Sequence, residues 1–402
     1  MSAPAPSPVV LEAWSLSRDG ATTGWIRRLL VVGMVWLIIG MAVMPAGSSY
    51  NPGKPYQYVL ALTLWLPMLV LLAMRPRRLF EFCRMPLMLG VLALLAWSWL
   101  SLAWSEAPRR GDEAARVLSV LLFLVGAQWV FAGSVQRIRL VLVGCGLAMA
   151  AIAAAFIVDF VLQPPIDGRL AGVGVMGNAN LAAAAMGAAL IWLWPWRFAH
   201  RGWTLLKWAA IGVLALFTLL TFSRGAWAAL FLAMLATMLC RGGWRAGLWA
   251  GLLCLLGAIG VALAFEELLE RGWSLRPQIL DGAWTLILQN PLYGLGQGTA
   301  LRIEAGGQAW VHAHNLFAQL AIELGLPAAL WWVGLWSALG WRAWQHRHDE
   351  VGRLVLGLWI FGGVAVQFDM PHLLDSPRPG WLITWLPLAL AASLGRPAGG
   401  AR

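Results

Sequence analysis

Apolar residues gather along this chain into long uninterrupted runs separated by polar connectors. The runs lie near 29–47, 58–74, 86–104, 117–133, 140–162, 181–195, 205–222, 226–240, 246–265, 316–341, 354–368 and 380–395. A helix needs about 20 apolar residues to cross a bilayer, so the pattern predicts an all-α polytopic membrane protein with about twelve transmembrane helices. No train of alternating segments of the β-barrel kind is visible. The composition agrees: 60% hydrophobic and 12% charged residues, against about 25% charged in soluble domains, exclude a water-soluble globule. The abundant Gly, Pro and Trp (44, 21 and 27 residues) suit lipid-embedded helices.

Charge then orients the runs. Of the 29 basic residues only Lys54 and Lys207 are lysines, and the cations sit in short connectors instead of forming a nucleic-acid patch. With the amino terminus in the cytoplasm, twelve crossings leave 19 cations and 5 acids inside against 10 cations and 13 acids outside, +14 against −3. That split obeys the positive-inside rule. The expected organisation is a cytoplasmic tail at 1–28, helices 1–9 over 29–265, a large periplasmic loop with a helical stretch near 276–289 over 266–313, helices 10–12 over 314–395, and a cytoplasmic tail at 396–402. The first twenty residues are polar and read as a cytosolic tail, not a cleaved signal. Cys83, Cys145, Cys240 and Cys254 show neither a disulfide framework nor metal-ligand spacing.

Candidate chemistry concentrates on the outer side. Asn315, Gln319 and Glu323 fall at i, i+4 and i+8 and form one polar stripe on an otherwise apolar helix, with His314 at its wet mouth. A histidine there, with an unperturbed pKa near ~6.5, suits general-base work. A histidine that only caps the helix or bonds within the bundle fits the same spacing, and the sequence leaves both readings open. Arg224, in Ser223-Arg224-Gly225, occupies a very short connector between two apolar runs. At that depth a charge tends to face the bundle or a water-filled cavity, and the guanidinium fork suits phosphate; snorkelling to lipid headgroups is the plainer alternative. The same reasoning covers Arg169, Arg276 and Arg378, which together suit one anion. His312, His314 and His372 lie outside without a HExxH or DxD element, so no metal and no cofactor is expected. No P-loop or GxSxG context supports ATP hydrolysis or serine-esterase chemistry.

These residues carry a resemblance. Arg276, then Asn290-Pro291-Leu292-Tyr293-Gly294-Leu295-Gly296, then His314-Asn315-Leu316 and Glu323-Leu324-Gly325 resemble the signature of the O-antigen ligase and polymerase superfamily. Arg169 with Gly177-Asn178-Ala179-Asn180, and Ser223-Arg224-Gly225, resemble its earlier motifs in the same order. The resemblance covers nearly the whole chain. It implies a GT-C-like, metal-independent glycosyltransferase of the bacterial inner membrane. The donor it implies is an undecaprenyl-diphosphate-linked glycan, and the acceptor lipid A-core. By position it implies His314 as catalytic base, Arg224, Arg276 and more weakly Arg169 at the diphosphate, and an acid before the last helix, either Asp369 or Asp375. His312 and Arg378 are left on the acceptor side without a matched role.

Among activities of that superfamily, ligation of O-antigen is favoured over repeat polymerisation or protein glycosylation, because the chain is compact and carries no extra outer domain after its last helices. A twelve-helix transporter would place its long connector in the middle and inside; here it is outside, after the ninth run. The charge split generates a direct test. In a background with the four native cysteines replaced by serine, a cysteine at Gln278 is expected to react with an impermeant thiol reagent in intact spheroplasts. One at Gln345 is expected to stay protected, and equal labelling would break the twelve-run topology.

Overall fold

The computed structural model describes residues 21–45, 52–263 and 275–394. It is a bundle of helices: α1 (Ala21–Val43), α2 (Lys54–Met74), α3 (Pro76–Cys83), α4 (Pro86–Ser101), α5 (Arg110–Phe131), α6 (Val135–Leu162), α7 (Ala179–Leu193), α8 (Arg201–Leu220), α9 (Arg224–Leu239), α10 (Gly243–Leu263), α11 (Arg276–Gln289), α12 (Leu316–Leu324), α13 (Leu326–Gln345), α14 (Glu350–Ala365) and α15 (Pro379–Ser393). One small antiparallel hairpin, β1 (Ile303–Ala305) with β2 (Gln308–Trp310), pairs Ile303 with Trp310. Among the described residues α1, α2, α5, α6, α8 and α10 are long and apolar enough to cross a membrane alone, and α4, α7, α9 and α15 are apolar but shorter.

Each apolar run overlaps a helix, with two differences. Several helices begin before their run, α5 at Arg110 and α8 at Arg201, because a first helical turn can point its side chains to water while its carbonyls already bond within the helix. The tenth run is not one helix: Gly325, at φ +87°, separates α12 from α13. The helical stretch expected at 276–289 is α11. Residues 266–274 of the expected outer loop, and the two expected terminal tails apart from the start of α1, lie outside the described residues.

Helix α7 is the centre of the bundle. Every residue in it except Asn180 is buried, and it packs against α6, α8, α9, α14 and α15. Its run of alanines lets neighbouring backbones approach closely, as small residues do in membranes; a Cβ on Gly187 would stand 2.5 Å from the Phe361 ring of α14. Up-and-down connectivity brings 163–178, 221–223, 275–315 and 366–378 to one end of the bundle and 194–200, 240–242 and 346–349 to the other.

At the first of these ends the Pro291–Gly298 loop docks on the carboxyl end of α12. Leu295 and Gly296 donate their N–H groups to the carbonyls of Ile322 and Glu323, both at 2.8 Å, and Leu326 donates to Pro291 at 2.8 Å. Gly294 has φ +65° and no room for a side chain: a Cβ would lie 2.5 Å from the Glu323 carbonyl carbon. A left-handed backbone costs a residue with a Cβ about 1–3 kcal/mol, and the steric conflict adds to it. Gly294→Ala is therefore expected to lower the thermal midpoint of the purified protein by several degrees, whereas Gly307→Ala, on the hairpin turn with open space around it, is expected to cost less.

Candidate active site

The site grows from the amino end of α12. Asn315 is the N-cap, its Oδ1 accepting from the N–H groups of Phe317 and Ala318 at 3.0 and 3.1 Å. His314 therefore stands one residue before the cap and does not cap the helix. It adopts φ +51°, a left-handed conformation that a non-glycine residue keeps only when its surroundings enforce it. Two contacts do so on its flanks: Gln319 Oε1 accepts the Ala313 N–H at 2.9 Å, and Leu316 donates to Val366 O at 3.0 Å.

The conformation aims the imidazole at the loop after α14, where Nδ1 lies 3.0 Å from Asp369 Oδ1. Asn180 of α7 donates to Asp369 Oδ2 at 2.6 Å, and its own Oδ1 accepts from Arg169 Nη2 at 2.8 Å. Arg169 Nε in turn donates to the Thr221 carbonyl at 2.9 Å. Burial by itself would raise the Asp369 carboxyl, but the hydrogen bonds from His314 and Asn180 and the nearby histidines hold it below the usual carboxylate range. An ionised Asp369 can only accept, so Nδ1 of His314 carries its proton and Nε2 keeps the basic lone pair. His312 stacks beside it with ring centroids 3.9 Å apart. Burial and the neighbouring His314 push His312 down to about 4, so it is neutral at pH 7. Trp310 stands edge-on to His314 at 5.2 Å, its indole N–H donating to Ala305 O at 3.1 Å and pinning the hairpin to the histidine.

Arg224 and Arg276 open two helices at this same place, α9 and α11. Arg276 lies over the Phe368 ring at 5.6 Å; burial depresses it, Asp369 attracts it and Arg224 repels it, which puts all three charges in one neighbourhood. The other face of Phe368 presses on the first turn of α9, where a Cβ on Gly225 would come within 2.7 Å of the ring. Helix amino termini carry partial positive charge and unpaired N–H groups. The starts of α7, α9, α11 and α12 all converge here, an arrangement suited to an anion with a base beside it.

Residues 209–333, which hold Arg224, Arg276 and His314, match the family model described as O-antigen ligase. Over 390 residues the chain is 26% identical to an O-antigen ligase of Pseudomonas aeruginosa, covering 96% of each protein. The chain is similar to O-antigen ligases in both comparisons. That similarity supports a ligase- or polymerase-type function, and the apolar helices a multi-pass membrane protein.

The geometry separates acids that sequence spacing left equivalent. Asp369 touches the histidine; Asp375 does not, but pairs with Arg378 Nη1 at 2.8 Å and Arg116 Nε at 3.6 Å. Arg116 also pairs with Glu113, and Gln297 of the glycine loop donates to Glu113 at 3.3 Å and to Leu374 O at 3.1 Å. Asp375 and Arg378 thus belong to a buried brace behind the site. The fold brings together residues that no sequence motif linked: metal-ligating atoms of His312, His314 and Asp369 all lie within 4.8 Å of one another. Fifty-five residues separate His314 from Asp369, so no motif could have shown it.

Sequence reasoning placed His372 on the outer side but gave it no partner. It approaches Glu323 Oε1 at 2.6 Å, and Glu323 accepts from Gln319 at 2.8 Å. The polar stripe of α12 is thereby tied both to the Asp369 loop and, through Ala313, to His314. Burial opposes a charge on His372, yet the carboxylate of Glu323 outweighs it and raises the imidazole. A raised pKa contributes stability that is complete below the unfolded value of about 6.5 and is lost as pH rises through the folded value. The gap in thermal midpoint between the native protein and His372→Gln is expected to be widest below pH 6 and to shrink in alkaline buffer. A gap that grew with pH would refute the pairing. Gly225→Ala, which must displace Phe368, is expected to lower turnover at least tenfold while the protein stays folded and membrane-inserted.

Proposed function

We propose that this protein is an O-antigen ligase of the bacterial inner membrane. In this reading it transfers O-antigen from undecaprenyl diphosphate to a sugar hydroxyl of lipid A-core on the periplasmic side. The observation that carries the reading is the His314–Asp369 pair standing beside Arg224 and Arg276 at converging helix starts. In this reading the chain crosses twelve times with both termini cytoplasmic, and that end of the bundle faces the periplasm.

Diphosphate is already a good leaving group, so the chain needs a base, a grip on the departing charge and dryness. The acceptor hydroxyl oxygen forms the new bond to the anomeric carbon as the carbon–oxygen bond to diphosphate breaks. Its proton passes to Nε2 of His314, and Asp369 stabilises the imidazolium and fixes its tautomer. The electron pair leaves with the diphosphate, whose charge Arg224, Arg276 and the helix starts stabilise. Arg169, with Nε and Nη2 occupied by Thr221 and Asn180, acts in this reading by holding the asparagine that orients Asp369. An apolar groove of about 550 Å³ leads away from the site between α11, α12 and α13. Asn315 and Gln367 stand at its polar end, and Trp284, Phe317, Leu330 and Val333 are among its walls; it suits a polyprenyl chain. The reaction needs no metal, because guanidinium groups supply the countercharge.

Three outcomes test this. His314→Asn is expected to lower turnover about 10²- to 10⁴-fold, the usual worth of a positioned base, with little change in donor affinity; near-native turnover removes His314 from the chemistry. Arg224→Lys keeps the charge but loses the fork and is expected to be strongly impaired. Full activity is expected in excess EDTA with lipid-linked donor and detergent-solubilised acceptor. Loss of activity on chelation, restored by Mn²⁺, would instead assign the His312–His314–Asp369 cluster to a metal.

A further inference from the structure

The opposite end of the bundle holds a second concentration of positive charge that transfer chemistry does not use. Lys207 of α8 is only 6% exposed; its Nζ donates to Trp196 O at 3.0 Å and lies 4.4 Å from the centroid of the Trp208 ring. Arg241, just beyond α9, donates to Trp194 O at 3.2 Å and lies over that indole at 5.1 Å. Arg353 of α14 donates to His348 O at 2.6 Å, while its Nε is buried with no hydrogen-bond partner. Arg197 completes the group. Arg197 and Arg241 repel Lys207, Arg197 and Arg353 repel Arg241, and Glu350 is the acid that attracts both Lys207 and Arg241.

Orientation by the positive-inside rule asks only for solvated cations near helix ends. It does not ask for a buried lysine among three arginines. Carbonyl oxygens satisfy the lysine's donors but bring no countercharge, and a buried charge ringed by like charges is costly unless an anion joins them. The level of the cluster is marked by exposed Trp203, Trp208, Trp244, Trp341 and Trp344, the residue type that settles at headgroup depth. Basic pockets between helices at that depth suit anionic lipid headgroups. We propose that Lys207, Arg197, Arg241 and Arg353 form a binding site for the phosphate headgroup of an anionic phospholipid, on the face of the bundle opposite the candidate active site.

The test uses the full-length protein, purified and delipidated in neutral detergent, and titrates cardiolipin, phosphatidylcholine and inorganic pyrophosphate separately by native mass spectrometry. The native protein is expected to bind cardiolipin at least tenfold more tightly than phosphatidylcholine. Arg197→Gln/Arg241→Gln, both at exposed positions, is expected to lose that preference, and Lys207→Met to lose it as well. If the buried substitution fails to insert, the double variant decides alone. Equal binding of the two lipids, or a preference unchanged in the double variant, overturns the proposal. Pyrophosphate bound as tightly as cardiolipin also overturns it, because the site would then serve a soluble phosphate.

Discussion

A helix of nine residues cannot satisfy its own backbone, and α12 is that short. In a membrane-embedded bundle an unpaired N–H or carbonyl costs several kcal/mol, so each end of α12 must borrow partners from elsewhere. Asn315 and the Val366 carbonyl serve the amino end. The glycine loop serves the carboxyl end through Leu295 and Gly296, and Trp97 adds an indole N–H to Leu324 O at 3.0 Å. Segments from α4, the outer loop and the turn after α14 are thus fixed relative to one another by one small helix. The residue just before its cap is His314.

Local strain follows the same geography. Among the described residues the non-glycine positions with left-handed φ are Phe222, Leu275 and His314. The first lies two residues before Arg224, the second immediately before Arg276, and the third is the histidine itself. Each of these bends lies just ahead of a helix and carries Arg224, Arg276 or His314 to the candidate site. Such conformations persist only where the surroundings over-determine them. Here the packing of Phe368 between Gly225 and Arg276 and the hydrogen bonds around Asp369 provide that determination.

Much of this was legible in the sequence, for a physical reason: lipid tolerates only long apolar helices, and so writes them plainly into composition. Helix α11 was legible too, because Arg276-Pro277 opens it and polar residues bound it. The break at Gly325 was hidden, since both halves of the run are apolar and only a docked loop reveals why the chain must turn there. The β1–β2 hairpin, with three residues in each strand, is too short to show a period. Asp369 and Asp375 sit in one loop at similar sequence separations from His314, and which of them reaches the imidazole depends on that loop's path, held by Glu323 and His372. Asn180 stood in view inside Gly177-Asn178-Ala179-Asn180, but its role as the link between Arg169 and Asp369 required the fold.

The bond between His314 and Asp369 also has a consequence in time. Asn180, His314 and Asp369 leave the ribosome far apart, and the loop that bears the carboxylate comes just before α15, which packs against α5 and α7. Until α15 has inserted, the Asp369 loop is anchored on one side only, and Gln128 of α5 lacks the Ala389 carbonyl to which it donates at 2.7 Å. A nascent chain that has inserted α1–α14 can therefore still lack an anchored His314–Asp369 pair. The histidine acquires its fixed orientation late, from contacts made across the bundle and not along the chain.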